Sequence, residues 1–257
     1  MNNNLEWLDS SVRHAVRNFW ETRNNGDGVL GGKTLHAFLD IIMRVVEESG
    51  LRDFSLYNSR LATQLPGYFR PHKSWDAIIT LGDELIAAIE FKSQIGSIGN
   101  NFNNRSEEVL GSGIDLKTAI EEEAFGRNPN VFTGYLTVVE HSDSTLATPR
   151  IDMNHFQVMH GFLLNENMRD ELYHKNSAGI YPKLTGISYL DRYDVMCKRL
   201  MIKNLYTAAA IVAVPKTPED ISQGNFIHVS PETSIRTFMA KLSAHCRVVA
   251  EIQEQRG

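Results

Sequence analysis

The stretch KSWDAIITLGDELIAAIEFKSQ, residues 73–94, restricts what this chain can fold into more than any other. Its apolar runs WDAIITL and LIAAIEF are strand-like, and Gly82 to Glu84 between them reads as a tight hairpin. Yet these runs keep Asp76, Glu90 and Lys92, groups that are rarely buried unless paired or bound to a metal. Side chains alternate along a strand, so Glu90 and Lys92 share one face while Phe91 points to the other, into the core. With the turn centred on Asp83, Asp76 lies opposite Glu90. Directly opposed side chains are roughly 4.5–5.5 Å apart at Cβ, and like charges there repel. Something positive must compensate them. Lys92 offers one charge, whereas a divalent cation neutralises two carboxylates and takes hard oxygen ligands of this kind. A solvated polar edge or a surface ion pair is the structural alternative, and such pairs contribute little.

The remaining chain sets this hairpin in an alternation of helices and strands without internal repeats. Residues 5–20 read as a helix; residues 33–50 read as an amphipathic helix, with Leu35, Phe38, Leu39, Ile42, Val45 and Val46 at helical spacing and Gly50 as the stop. TRNNGDGVLGG, residues 22–32, is a Gly/Asn loop; Arg23 and Thr34 stand where a calcium loop needs its first and last acids. After the Asn-rich GNNFNNR, the spacing predicts a helix over 105–124, a strand in VFTGYLTVV, a basic helix over 189–204, a buried strand over 207–214 and a last helix over 231–254. Residues 140–188 are rich in turn formers. The order predicts an α/β fold, a mixed central β-sheet flanked by helices. One domain spans 1–257, its core at about 29–215, with the first and last helices appended.

Cys197 and Cys246 are too few for a disulfide framework, and MNNNLEWLDSS lacks the basic and apolar regions of a signal peptide, so a reduced, cytoplasmic compartment is expected. No apolar run reaches the roughly eighteen residues of a membrane helix. His155, His160 and His174 lack the acids or cysteines of a zinc site. Cys197 falls on the buried side of its helix.

The D-x13-E-x-K arrangement on a hairpin resembles the PD-(D/E)XK nuclease superfamily. LPGYFRPHKSWDAIIT followed by AAIEFKSQIGSIGNNFNNRSEEVLG is similar to the XhoI-type restriction endonucleases, as are GVLGGKTLHAFL, FTGYLTVVE and SYLDRYDVMCKRLMIKNLY; the likeness spans most of residues 29–206. Trp75 precedes Asp76 where the superfamily often has proline, which is not a ligand. The resemblance implies a prokaryotic type II restriction enzyme with a restriction-endonuclease-like core, a homodimer cutting a palindromic duplex, with 5'-CTCGAG-3' the family's best-known site. It also implies Mg2+ held by Asp76, Glu90 and the Phe91 carbonyl, with Lys92 near the nucleophile, and a cognate DNA methyltransferase protecting the host. Glu107 is a candidate for a further ligand or water contact.

Net charge is −5, which argues against a nucleic-acid partner unless positive charge is clustered. It is clustered. Arg70, His72 and Lys73 precede the first acid, and Arg192, Lys198, Arg199 and Lys203 crowd one helix, where phosphate anchoring competes with a plain solvated face. Asn100, Asn101, Asn103, Asn104 and Arg105 exceed the turn-forming needs of one loop. Asn pairs with adenine and Arg with guanine in the major groove, matching a guanine-adenine-guanine half-site. A repair or recombination nuclease with the same core, and a non-catalytic DNA-binding module, are the competing readings.

Overall fold

The computed structural model describes residues 5–24, 35–127, 129–159, 161–162, 174–181 and 184–256. The tip of the Gly/Asn loop (25–32), Thr34, His160 and residues 163–173 lie outside them. The elements run α1 Leu8–Asn24, α2 His36–Glu48, β1 Phe54–Tyr57, β2 Gln64–Pro66, β3 His72–Ser74, β4 Ala77–Leu81, β5 Glu84–Gln94 and α3 Ile98–Glu121. Then come β6 Phe132–His141, α4 Asp143–Leu146, β7 Arg150–Ile151, β8 Leu184–Thr185, α5 Tyr189–Ile202, β9 Ala208–Pro215, α6 Pro218–Gln223 and α7 Ile235–Arg256.

Five strands form the central sheet in the order β1-β4-β5-β6-β9. β1, β4 and β5 are antiparallel neighbours, whereas β5, β6 and β9 run parallel. The mixed sheet follows from the connections: a two-residue turn joins β4 to β5, while helices carry the chain between the parallel strands. Each face buries its own apolar cluster. On one, Val12, Val16 and Phe19 of α1, Phe38 and Ile42 of α2, and Phe238 and Leu242 of α7 pack on Ile79, Ile89, Phe91, Leu136 and Val212. On the other, Phe102 and Val109 of α3 and Tyr193, Cys197 and Leu200 of α5 cover Ala88, Tyr135 and Ile211. Phe91 thus points into the first core, as alternation requires, and Cys197 is buried in the second.

The Asn-rich segment is helical. α3 begins at Ile98 and takes in Asn100 to Arg105, so the expected loop ahead of residue 105 is instead the first two turns of the helix. Asparagine is a poor helix former, but Ile98, Phe102 and Val109 recur at helical spacing and are buried, and packing outweighs local propensity. Phe102 meets Tyr193 edge to face, with ring centroids 5.1 Å apart, pinning these turns to α5. Gly96 and Ser97, both at positive φ, swing the chain from β5 into α3.

The β4–β5 hairpin has an irregular register that sets the position of its acids. Gly82, at φ 56°, takes the first place of the two-residue turn, and Leu81 pairs with Glu84. The register shifts between Ile79 and Thr80: Thr80 pairs with Leu85, Ile79 with Ala87, and Ile86 is the extra residue of a β-bulge. Accordingly Ile86 and Ala87, although consecutive, both face the first core. The half-buried His245 of α7 donates from Nε2 to the Ile86 carbonyl at 3.1 Å, so a neighbouring helix meets the bulged residue. Replacing His245 by Leu leaves that carbonyl short of a donor and is expected to cost about 1–3 kcal/mol in urea unfolding. Burial lowers the pKa of His245 from its ordinary 6.5. The unfolded chain therefore takes up the proton first, and stability is lost as pH falls through and below this value. The His245→Leu protein should lack that part of the pH dependence.

Candidate active site

Ala77 pairs with Ile89, and Asp76, in a bend just before β4, donates its N–H to the Ile89 carbonyl at 3.2 Å, so that its carboxylate comes near Glu90. The two acids meet where β4 begins and β5 runs on past it. Asp76 Oδ2 accepts the Phe91 N–H at 2.7 Å. A strand residue sends its N–H and C=O to the same edge, so the Phe91 carbonyl also leaves toward the Asp76 side. Glu90 and Lys92 lie on the α3/α5 face, beside Tyr135 and Thr137 of β6. Glu90 is only 2% exposed, whereas Asp76 opens to solvent.

Two lysines, not one, compensate Glu90. Lys92 Nζ lies 2.8 Å from Oε1, and Lys73 Nζ, from β3, lies 3.3 Å from Oε2. Burial opposes ionisation of Glu90, but the two ammonium groups outweigh it and lower its pKa. Lys92 is pulled down most by burial, but Glu90, Asp76 and Glu108 together lift it further, with a net rise. For Asp76 the recess matters most: loss of hydration raises its pKa against the opposing pull of Lys92 and the Phe91 N–H. Beneath Glu90 the floor is aromatic and buried. Tyr135 and Tyr206 stand 5.8 Å apart, and burial followed by nearby charges, Glu90 among them, raises both hydroxyl pKa values.

The donor set suits a hard divalent cation. Glu90 Oε2 is buried and lacks an aligned hydrogen bond, and the Asp76 carboxylate and the Phe91 carbonyl stand at the same strand edge. Among the described residues no group of three or more His, Cys, Asp or Glu could hold a metal, so carbonyl and water oxygens would complete the shell.

The DNA-binding candidates are placed less uniformly. Asn103 and Asn104 are exposed on α3, Asn101 is half-buried, and Asn100 lies on the first turn. Arg105 pairs with Glu108 at 2.7 Å, and its Nε is buried without a hydrogen-bond partner. Glu107 is exposed; Glu108, one residue on, is the α3 acid whose charge reaches Lys92. Arg70 Nε binds the buried Asp115 at 2.7 Å, and the Phe69 N–H binds the other oxygen of the same carboxylate at 2.8 Å. That clamp fixes the loop entering β3. Lys198 joins Asp194 at 2.8 Å and Glu232 at 3.6 Å, while the Arg199 guanidinium lies 4.5 Å from the Phe162 ring centroid. Of the two basic clusters, only the one before β4 reaches the carboxylates, through Lys73. Its role as a partner of Glu90 was invisible in sequence, because β3 belongs to a separate two-stranded sheet with β2. His155 and His174 are exposed.

The model of the family described as restriction endonuclease XhoI matches residues 21–176 and 165–228, more than half of the chain. The chain belongs to the XhoI restriction endonuclease family. It is 36% identical over 214 residues to the type II restriction enzyme XhoI of Xanthomonas vasicola, covering 77% of either chain. Type II restriction enzyme BstVI of Geobacillus stearothermophilus is 29% identical over 238 residues, 90% of this chain and 95% of that one. AbrI of Azospirillum brasilense, also named a type II restriction enzyme, is 45% identical over 109 residues, 42% and 49% of the two chains. No solved structure matches the chain significantly. The α/β architecture agrees with a PD-(D/E)XK core: the hairpin β4–β5 carries the D-x13-E-x-K residues, and α3 follows directly. Among the described residues no helix is long and apolar enough to cross a membrane.

Proposed function

We propose that this XhoI-family member is a cytoplasmic type II restriction endonuclease that hydrolyses both strands of a palindromic duplex with Mg2+. Its site is 5'-CTCGAG-3' or a closely related sequence, and a cognate methyltransferase protects the host. The observation that carries the reading is the meeting of Asp76, Glu90 and Lys92 at the end of one hairpin, around a buried carboxylate oxygen with no aligned hydrogen bond. Asp76, Glu90 and the Phe91 carbonyl would hold the cation, which supplies positive charge against the two carboxylates and the attacked phosphate. Lys92, kept beside Glu90, is positioned to donate to the attacking water or to a non-bridging oxygen. Asp76 stays oriented through the Phe91 N–H. The buried aromatic floor strengthens each of these charge interactions.

A palindrome presents two identical half-sites, so a two-fold homodimer with one site per strand fits the task. A repair nuclease could use the same acids; the relatives named as type II restriction enzymes favour the site-specific reading. Incubating the protein with plasmid and Mg2+ tests it. Discrete fragments whose sequenced ends map to one palindrome are expected, from a protein that sediments on a duplex as a dimer. Nicking that follows DNA structure rather than sequence, or no cutting, would overturn the proposal.

A further inference from the structure

Glu90 meets two ammonium groups, although the chemistry above gives work to one. Lys92 is its neighbour on β5 and approaches Oε1 from the same face of the sheet. Lys73 comes from β3, outside the central sheet, and approaches Oε2, the oxygen without an aligned hydrogen bond. Its side chain is 14% exposed and lies with Nζ 4.3 Å from the centroid of the Trp75 ring, while the same Nζ donates to the Ser74 carbonyl at 3.3 Å. Lys73 is therefore seated in the site and is not a free surface cation.

We infer that Lys73 is a displaceable counter-ion of Glu90, competing with the divalent cation for Oε2 and leaving it when the cation enters. The inference rests on the reading of Asp76 and Glu90 as the metal site. Two facts of the geometry support it. A buried carboxylate is strongly unfavourable without a compensating charge, and Lys73 supplies one at the oxygen that Lys92 does not serve. A magnesium ion binds carboxylate oxygen at about 2.0–2.1 Å, so it would fall in the space that the Lys73 ammonium approaches, and the two cations would repel. Lys73 hangs from a three-residue strand and can move without disturbing the register of the sheet. A DNA phosphate gives the released ammonium a second anion. Cation and DNA binding then favour one another, and by linkage the coupling is reciprocal.

The test is Mn2+ binding without DNA, followed by electron paramagnetic resonance in the wild type and in Lys73→Met, which keeps the apolar stem and removes the charge. The Lys73→Met protein should bind Mn2+ on the order of tenfold more tightly, because a nearby like charge is gone. Lys73→Gln should move in the same direction and covers the case in which the methionine protein fails to fold. Binding that is lost in Glu90→Gln but unchanged or weaker in both Lys73 variants overturns the counter-ion role and leaves the metal site standing. No binding by any of these proteins, or binding that survives Glu90→Gln, overturns the metal site and the counter-ion role together.

Discussion

The Glu90→Gln protein should leave supercoiled plasmid uncut under conditions in which the wild type linearises it, with a rate lower by about 10²–10³-fold or more. The substitution keeps the shape of a side chain that is 2% exposed, and removes the charge that two lysines share and that the proposed cation would bind. Alanine would be a poorer test, since it opens a gap over Tyr135 and strands Lys73 and Lys92 as well. Some loss of stability is expected even with glutamine, because both ammonium groups lose a partner. Circular dichroism and a melting curve therefore accompany the cleavage assay. Asp76→Asn is the cleaner companion: the residue opens to solvent, and the amide oxygen can still accept the Phe91 N–H. It should lose cleavage to a similar degree with little change in melting temperature. Near-normal Mg2+-dependent cutting by the folded Glu90→Gln protein would sink the assignment of the hairpin as the catalytic centre.

The second large effect concerns sequence reading by α3. Arg105→Ala should weaken binding to the specific site roughly 10- to 100-fold, the worth of a good bidentate contact to guanine. Affinity for unrelated DNA should fall much less, because phosphate contacts supply most of that term. Measuring both in Ca2+ separates binding from cutting. The helix strengthens the case for Arg105, since the N-terminal turns of a helix are what a recognition helix presents to the major groove. Arg105 is tied to Glu108, but a part-exposed pair three residues apart on a helix contributes little and yields to a base. Asn101 lies one turn before it, and exposed Asn104 one turn before Glu108. Equal loss of specific and non-specific affinity would make Arg105 a phosphate anchor instead.

Much of this molecule was legible residue by residue. Alternation placed Glu90 and Lys92 on one face and Phe91 in the core, and helical spacing found α2, α5 and α7 within a few residues. The short strands β1, β2 and β3 escaped notice because three or four residues of mixed polarity carry no clear period. The asparagines of GNNFNNR misled about local structure for a different reason. Their propensity favours turns, and only the burial of Phe102 and Val109 against the sheet and α5 decides for a helix.

The sequence by itself determined which chemical groups are present and on which faces they lie, because side-chain type and the two-residue period of a strand are local properties. It also placed Asp76 opposite Glu90, but through a turn centred on Asp83. In the tertiary structure a tighter turn at Gly82 and Asp83 is one residue out of step, and the bulge at Ile86, met by His245 from α7, restores the register as far as Ala77 and Ile89. Tertiary structure alone brought Lys73 to Glu90, faced Glu108 toward Lys92 and spent Arg70 on Asp115. Each of these joins residues whose distance in space is fixed by packing between separate elements, and no period along the chain encodes that distance.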